Sequence, residues 1–287
     1  AQGLIALAFQ QPKFAKKRRG KVEGHASEVP NDLTRRICSS KVGEIYDLTG
    51  LITPITATLK LDLHDLVVRK LDWDDILPDN LRSIWVTHFE LMGEIKNLRF
   101  NRAIVPHDAA SLDINTLDFG DASKELVCVA IYARFLRKCG TYSCQLIFAR
   151  SRLVPDGMTQ PRAELYAALL NTHTGEVVRK ALYKSIKGSI KFTDSQIVLF
   201  WITNDTRVLK SWARNRVIEI HRFTQVLSWL YVKSCDMIAD IGTRRCTDLK
   251  AVDGDSVHYN GFPWMLLDPS QFPTMTVDEI KLSNKEL

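Results

Sequence analysis

Beyond residue 30 apolar positions first recur at helical spacing. Between 32 and 48, Cys38, Val42, Ile45 and Tyr46 fall roughly on one face. The stretch from Asp47 to Pro54 breaks that pattern, with Thr53 placed as an N-cap and Pro54 suited to the first helical position. A second helix carries Ile55, Leu59, Leu63, Leu66 and Val67. LDWDDILPD interrupts again, and Asp79 caps a third helix striped by Leu81, Ile84, Trp85, Phe89 and Met92. These three amphipathic helices predict a small helical subdomain whose stripes are core. Near residue 100 the period falls from that of a helix to two. LVCVAIYARF (126–135) and YSCQLIFAR (142–150) alternate β-branched and aromatic residues around a turn at Lys138–Thr141, and TLDFGDAS precedes them as a third strand. A helix from about Pro161, a strand SIKFT ending at Asp194, helices through SQIVLFWI and TRVLKSWARNRVIEIHRFT, a strand VLSWLYV and a helical segment at Met237–Gly242 complete the series. The order β-β-β-α-β-α-α-β-α predicts an α/β fold, a mixed sheet covered by helices, preceded by the helical subdomain.

With 287 residues and 45% hydrophobic content, the chain is long enough for one large domain or two modest ones and for a real core. No apolar run reaches about 18 residues, which excludes a membrane-spanning helix. The first residues show no signal-peptide pattern, and a start at Ala1 reads as a piece of a longer chain. Six cysteines without a C-x-x-C pair argue against a zinc ribbon and for reduced thiols. The net charge of +6 is concentrated in a loose leader over residues 1–30, where Lys13, Lys16, Lys17, Arg18, Arg19 and Lys21 crowd together. Such a run can bind phosphates or act as a localisation signal, or is simply a solvated, flexible arm.

Four acids occupy informative places. Asp121 follows the first strand, Glu164 lies in the first turn of the long helix, Asp194 ends the next strand, and Asp240 lies in the last helical segment. Singly, each has an ordinary role as a turn former, helix-dipole partner, N-cap or surface acid, and Asp236 competes with Asp240. Strands lying side by side would bring Asp121 and Asp194 together, with Glu164 and Asp240 reaching in from helices. Carboxylates gathered in one cleft raise each other's pKa, and divalent ions with a preference for hard oxygen ligands relieve that repulsion. Two such ions suit phosphodiester hydrolysis.

The order Asp, Glu, Asp, Asp on β, α, β, α resembles the ribonuclease H domain of BEL/Pao-type LTR retrotransposon polyproteins. DFGDAS (118–123), AIYARF, FARSRLVP, TQPRAELYAALL, FTDSQIVLFWI, ARNRVIEI and IADIGTR carry the resemblance, which runs over roughly residues 30–273. Where related elements often have Asn-Pro-Ala-Asp, this chain has Met237-Ile-Ala-Asp240. The resemblance implies a ribonuclease H-like sheet of five strands over 112–250. A helical region like a reverse-transcriptase thumb or connection precedes it over 31–100, and a linker toward an integrase follows over 251–287. It also implies Mg²⁺-dependent cleavage of the RNA strand of RNA–DNA hybrids, with Asp121, Glu164, Asp194 and Asp240 as catalytic residues and ligands of two Mg²⁺ ions, for which Mn²⁺ could substitute. The expected partners are the hybrid and the rest of the polyprotein, reverse transcriptase and integrase, in a cytoplasmic virus-like particle with a nuclear stage. Lys16, Lys17, Arg18, Arg19, Arg162, Arg214 and Arg216 are the candidate phosphate contacts. The alternative function is a non-catalytic module from a domesticated or decayed element, which binds nucleic acid or connects other domains. No Tyr-x-Asp-Asp polymerase motif occurs.

Overall fold

The computed structural model describes residues 29–182 and 185–283, side chains to 280, and the backbone of three short strands at 4–5, 16–18 and 21–23. Three helices come first: α1 (Arg35–Gly43), α2 (Thr53–Val68) and α3 (Asp79–Glu94). Thr34 caps α1 by accepting from the Ile37 N–H, whereas Ile52 rather than Thr53 stands at the N-cap of α2 and Pro78 rather than Asp79 at that of α3. Three long strands follow, β1 (Ile114–Ala122), β2 (Leu126–Leu136) and β3 (Tyr142–Leu153), and then α4 (Gln160–Ala181). The chain continues through β4 (Ile186–Thr193), α5 (Gln196–Thr203), α6 (Ser211–Phe223) and β5 (Trp229–Val232). It closes with α7 (Val257–Asn260), β6 (Thr274–Met275) and α8 (Val277–Ser283).

The main sheet has six strands in the order β6-β5-β4-β1-β2-β3. β1, β2 and β3 pair antiparallel, β4 and β5 join parallel, and β6 pairs antiparallel with β5. The expectation of five strands is therefore corrected by one. β6 comes from the segment expected to be a linker, and a two-residue strand shows no alternation that a sequence could reveal. Tyr259, Met265, Phe272 and Ile280 from that same segment are buried. β2 lies between β1 and the edge strand β3 and is buried on both faces except at Leu136, which accounts for its almost continuous apolar run.

One core joins the helical layer to the sheet. Leu33, Ile55, Leu59, Trp85 and Phe89 pack in the same cluster as Phe119, Tyr132, Phe192 and Tyr259. Phe119 stacks on Phe192 with centroids 4.5 Å apart, and Trp264 lies edge-on to both. The backbone also links the two parts, since Thr49 accepts from the Ala149 N–H on β3. Gly50, at φ +78°, sits so close that a Cβ there would strike the Ala149 carbonyl. All six cysteines are free thiols, and among the described residues no helix is long and apolar enough to cross a membrane.

The opposite face of β1 holds a buried ion pair. Lys191 Nζ donates to Asp118 Oδ2 at 2.6 Å, both side chains are at most 5% exposed, and Asn171 of α4 donates to the Asp118 carbonyl. A Cβ at Gly175 would meet both charged groups, so α4 can pass over them only with a glycine there. Removing one member of such a pair strands the other charge in the interior. Lys191→Met should lower the unfolding free energy by about 3–5 kcal/mol, and Asp118→Asn in that background should restore part of it. Denaturant titration of the three proteins checks both outcomes.

Candidate active site

The parallel register sets the site. Phe119 of β1 lies opposite Phe192 of β4, and two residues farther along each strand stand Asp121 and Asp194. Period-two alternation gives each acid the face of its phenylalanine, so both leave adjacent strand ends on the same side. Asp121 is 8% exposed. Burial first, and then the charge of Asp194, push its carboxyl up to about 7, against a 3.0 Å hydrogen bond donated by Thr243. Asp240 adds to the same repulsion. Asp194 is also held above the ordinary carboxylate range, by burial and more weakly by Asp240, while Ser234 Oγ donates to it at 2.8 Å.

Asp240 sits in the short 3-10 turn Ile238–Gly242. Its carboxylate forms an ion pair with Arg244, at 2.6 Å to one oxygen and 2.8 Å to the other. Of the two competing acids, Asp240 is the one whose charge acts on both Asp121 and Asp194; Asp236 receives only a 3.5 Å contact from the Cys235 thiol. Glu164 projects, half-buried, from the second turn of α4 rather than the first, because the helix already starts at Gln160. Gln160, one turn earlier, donates to Glu164 Oε1 at 3.2 Å and to the Ala122 carbonyl at 2.6 Å, and so ties the helix start to the residue after Asp121. The structure thus gathers Asp121, Asp194 and Asp240 and attaches Glu164 to the same strand end through an amide.

The helical layer braces the segment carrying Asp240. Thr58 of α2 donates to the Cys246 carbonyl at 3.0 Å and accepts from the Cys246 N–H at 2.7 Å. Asp62 of α2 binds Arg245 and, at 2.6 Å, His88 of α3. Burial works to raise the Asp62 carboxyl, but His88 and Arg245 outweigh it and hold it below the usual range. Gly242 packs on Cys128 so closely that a Cβ would lie 2.3 Å from the sulfur.

The donors are carboxylates alone, hard oxygens crowded until they repel, which is the chemistry a divalent ion of the Mg²⁺ type relieves. In that respect the residues fit such an ion. Among the described residues no three His, Cys, Asp or Glu side chains already converge to enclose one, and Arg244 engages both oxygens of Asp240.

The candidate phosphate contacts fare differently. The side chains of Lys16, Lys17 and Arg18, and Arg19 altogether, lie outside the described residues. Arg214 donates to the carbonyls of Thr206, Arg207 and Leu209, so its guanidinium serves the loop before α6. Arg216 lies over the Trp212 ring at 3.7 Å and donates to the Trp212 carbonyl, while Arg162 approaches the same ring at 5.2 Å. Thr243, Ser234, Gln160 and Arg244 were not singled out by sequence. Only Gln160 leaves a signal there, an amide four residues before Glu164 on a helix.

The raised Asp121 carboxyl fixes a sign for stability. Below pH 3.8, the ordinary value, the acid is protonated in both folded and unfolded chains. Between there and about 7 the unfolded chain releases a proton that the folded chain keeps, so stability falls as pH rises and the loss is complete above 7. In metal-free buffer Asp121→Asn should therefore exceed wild type in stability by on the order of a few kcal/mol at neutral pH. Thermal melts across pH should show the advantage vanish below pH 4, the range in which Asp121 is protonated in both states.

A family model described as the Pao retrotransposon-like RNaseH-like domain matches residues 34–195, more than half the chain and including Asp121, Glu164 and Asp194. Among curated proteins none matches. A solved structure of the foamy viral protease-reverse transcriptase in complex with double-stranded DNA is similar at 10% identity and a TM-score of 0.39, over 72% of this chain. This chain spans 33% of that one's length. The match of the family model across the helical layer, the first four strands of the main sheet and α4 makes this chain a member of the Pao retrotransposon-like RNaseH-like domain family.

Proposed function

We propose that this chain hydrolyses the RNA strand of RNA–DNA hybrids with divalent metal ions, as part of a retroelement polyprotein that also carries a reverse transcriptase. One observation carries the reading. Asp121 and Asp194 leave the ends of two adjacent parallel strands, Asp240 of the 3-10 turn Ile238–Gly242 adds its charge against both, and Asp121 is pushed up to about 7. A fold that only needed stability would gain by losing one of these acids.

Asp121, Asp194, Asp240 and Glu164 would hold two Mg²⁺ ions. When bound, these ions supply an activated water and neutralise charge at the leaving oxygen. The chain's own residues set the geometry. Thr243 fixes one oxygen of Asp121, Ser234 fixes one of Asp194, and Gln160 keeps Glu164 beside Ala122. Arg244 balances the charge of Asp240 in the metal-free protein. The 2′-hydroxyl distinguishes the strand to be cut, and contacts to sugar and phosphate carry no direct sequence information, so cleavage falls at many positions.

The test uses end-labelled hybrid, duplex DNA and single-stranded RNA, each with Mg²⁺ or with EDTA. Cleavage of RNA in the hybrid alone, only with metal, leaving 3′-hydroxyl and 5′-phosphate ends, is the expected result. Asp121→Asn, Asp194→Asn and Glu164→Gln should fall to background. Asp240→Asn should retain partial activity, since water can replace a ligand at the rim, and Asp236→Asn should behave as wild type. Activity surviving EDTA, or cyclic-phosphate ends, would overturn the mechanism. The Arg244–Asp240 ion pair favours the other reading, a nucleic-acid-binding module. Hybrid binding without cleavage of any substrate would establish that module instead.

A further inference from the structure

A basic cluster outside the acid site remains without a role. Lys60 of α2 donates to Ser151 of β3, to its carbonyl at 3.0 Å and its hydroxyl at 3.1 Å, which leaves the third hydrogen of its ammonium group uncommitted. Lys60 and Arg150 line a cavity of about 330 Å³ between α2 and β3, together with Thr53, Thr56, Ser151 and Asp47. The one carboxylate there, Asp47, accepts from the N–H groups of Leu51 and Ile52 at 2.9 Å each. Arg150 and Arg152 are exposed and two residues apart on β3. No acid pairs with either in the described residues; Arg152 reaches only the Tyr166 hydroxyl at 3.5 Å. Burial and the charge of Arg152 hold the Arg150 guanidinium below its usual value, and burial, with both arginines contributing and Asp47 opposing them, does the same to the Lys60 ammonium. These three cations oppose one another; Asp47 attracts Lys60, and neither arginine has an acid partner among the described residues.

The position of Lys60 relative to the acids is fixed by register, while alternation along the edge strand β3 turns Arg150 and Arg152 toward its α4 side, where Arg152 meets Tyr166. Ser151 stands opposite Cys128, and Cys128 opposite Asp121. Two strand spacings separate Ser151 from Asp121, roughly 10 Å. An anion held at Lys60 therefore lies beside the row that ends in the acid cluster. Acids at one end and a surplus of cations at the other suit a polyanionic chain whose scissile phosphate goes to the acids and whose neighbouring phosphates need positive charge.

We propose that Lys60, Arg150 and Arg152 form a binding site for the phosphate backbone of the hybrid, so that the helical layer grips the substrate directly. The inference rests on the reading of the acid cluster as a hybrid-cleaving site, and its test separates the two. Fluorescence anisotropy with the full chain, a labelled RNA–DNA hybrid and EDTA gives affinity across a salt series. Arg150→Gln/Arg152→Gln should weaken binding on the order of tenfold and flatten the log–log salt slope by roughly 0.9 for each phosphate no longer neutralised. Lys60→Gln should act in the same direction. Arg36→Gln/Arg69→Gln, which removes two exposed cations paired with Asp74 and Asp65, should change neither. The exposed arginine pair decides the matter should Lys60→Gln fail to fold. Unchanged affinity and slope in the arginine variant, or no hybrid binding by wild type, would overturn the site. Loss of binding in that variant while wild type cleaves nothing in Mg²⁺ would uphold the site and sink the proposed activity. Unaltered binding with intact metal-dependent cleavage would do the reverse.

Discussion

The stack of Phe119 on Phe192 holds the site in register. These rings lie opposite each other on parallel strands, in the middle of a core that reaches from the helical layer to the C-terminal segment. A strand cannot slip by one residue without moving its whole apolar face to the wrong side, so the stack fixes how far each strand extends beyond it. Asp121 and Asp194, two residues on, inherit that alignment. Two like charges are brought together by an apolar contact that has no electrostatic stake in the outcome.

Charge is handled differently on the two faces of the same strand. On one face Asp118 is neutralised by Lys191 under α4, and Ser189 donates to the same carboxylate oxygen, while the other oxygen is buried without a hydrogen-bond partner. On the other, three residues along, Asp121 has a hydroxyl donor but no cation, and its neighbours are acids. Both residues belong to one short motif, DFGDAS, and both are buried. What separates the neutralised carboxylate from the repelled one is the partner each face supplies, a lysine from β4 in one case and a second aspartate from the end of β4 in the other.

Much of this was legible in the chain itself. Strands β1 to β5 and the four long helices announce themselves through period and turn residues, and Asp121 and Asp194 through their places at strand ends. β6 was not legible, because two residues paired at an edge carry no alternation. The helical segment expected at Met237–Gly242 is the 3-10 turn Ile238–Gly242, while the charge that Asp240 places on Asp121 and Asp194 shows only in the folded geometry. Arg214 looked like a phosphate contact by residue type, yet local carbonyls claim its guanidinium. Lys60 gave the opposite impression. It was given no role in the sequence, and only long-range packing sets it against β3.

The clasp of Thr58, Asp62 and His88 onto residues 245 and 246 bears on where a working piece of this protein can begin. A fragment cut to the strands and their covering helices would lose the brace behind Asp240 and uncover the apolar face that Ile55, Leu59 and Trp85 occupy. Exposed patches of that kind invite association with other surfaces. The smallest soluble unit should therefore start ahead of Leu33, and the helical region is as much a part of the nuclease-like body as the sheet it covers.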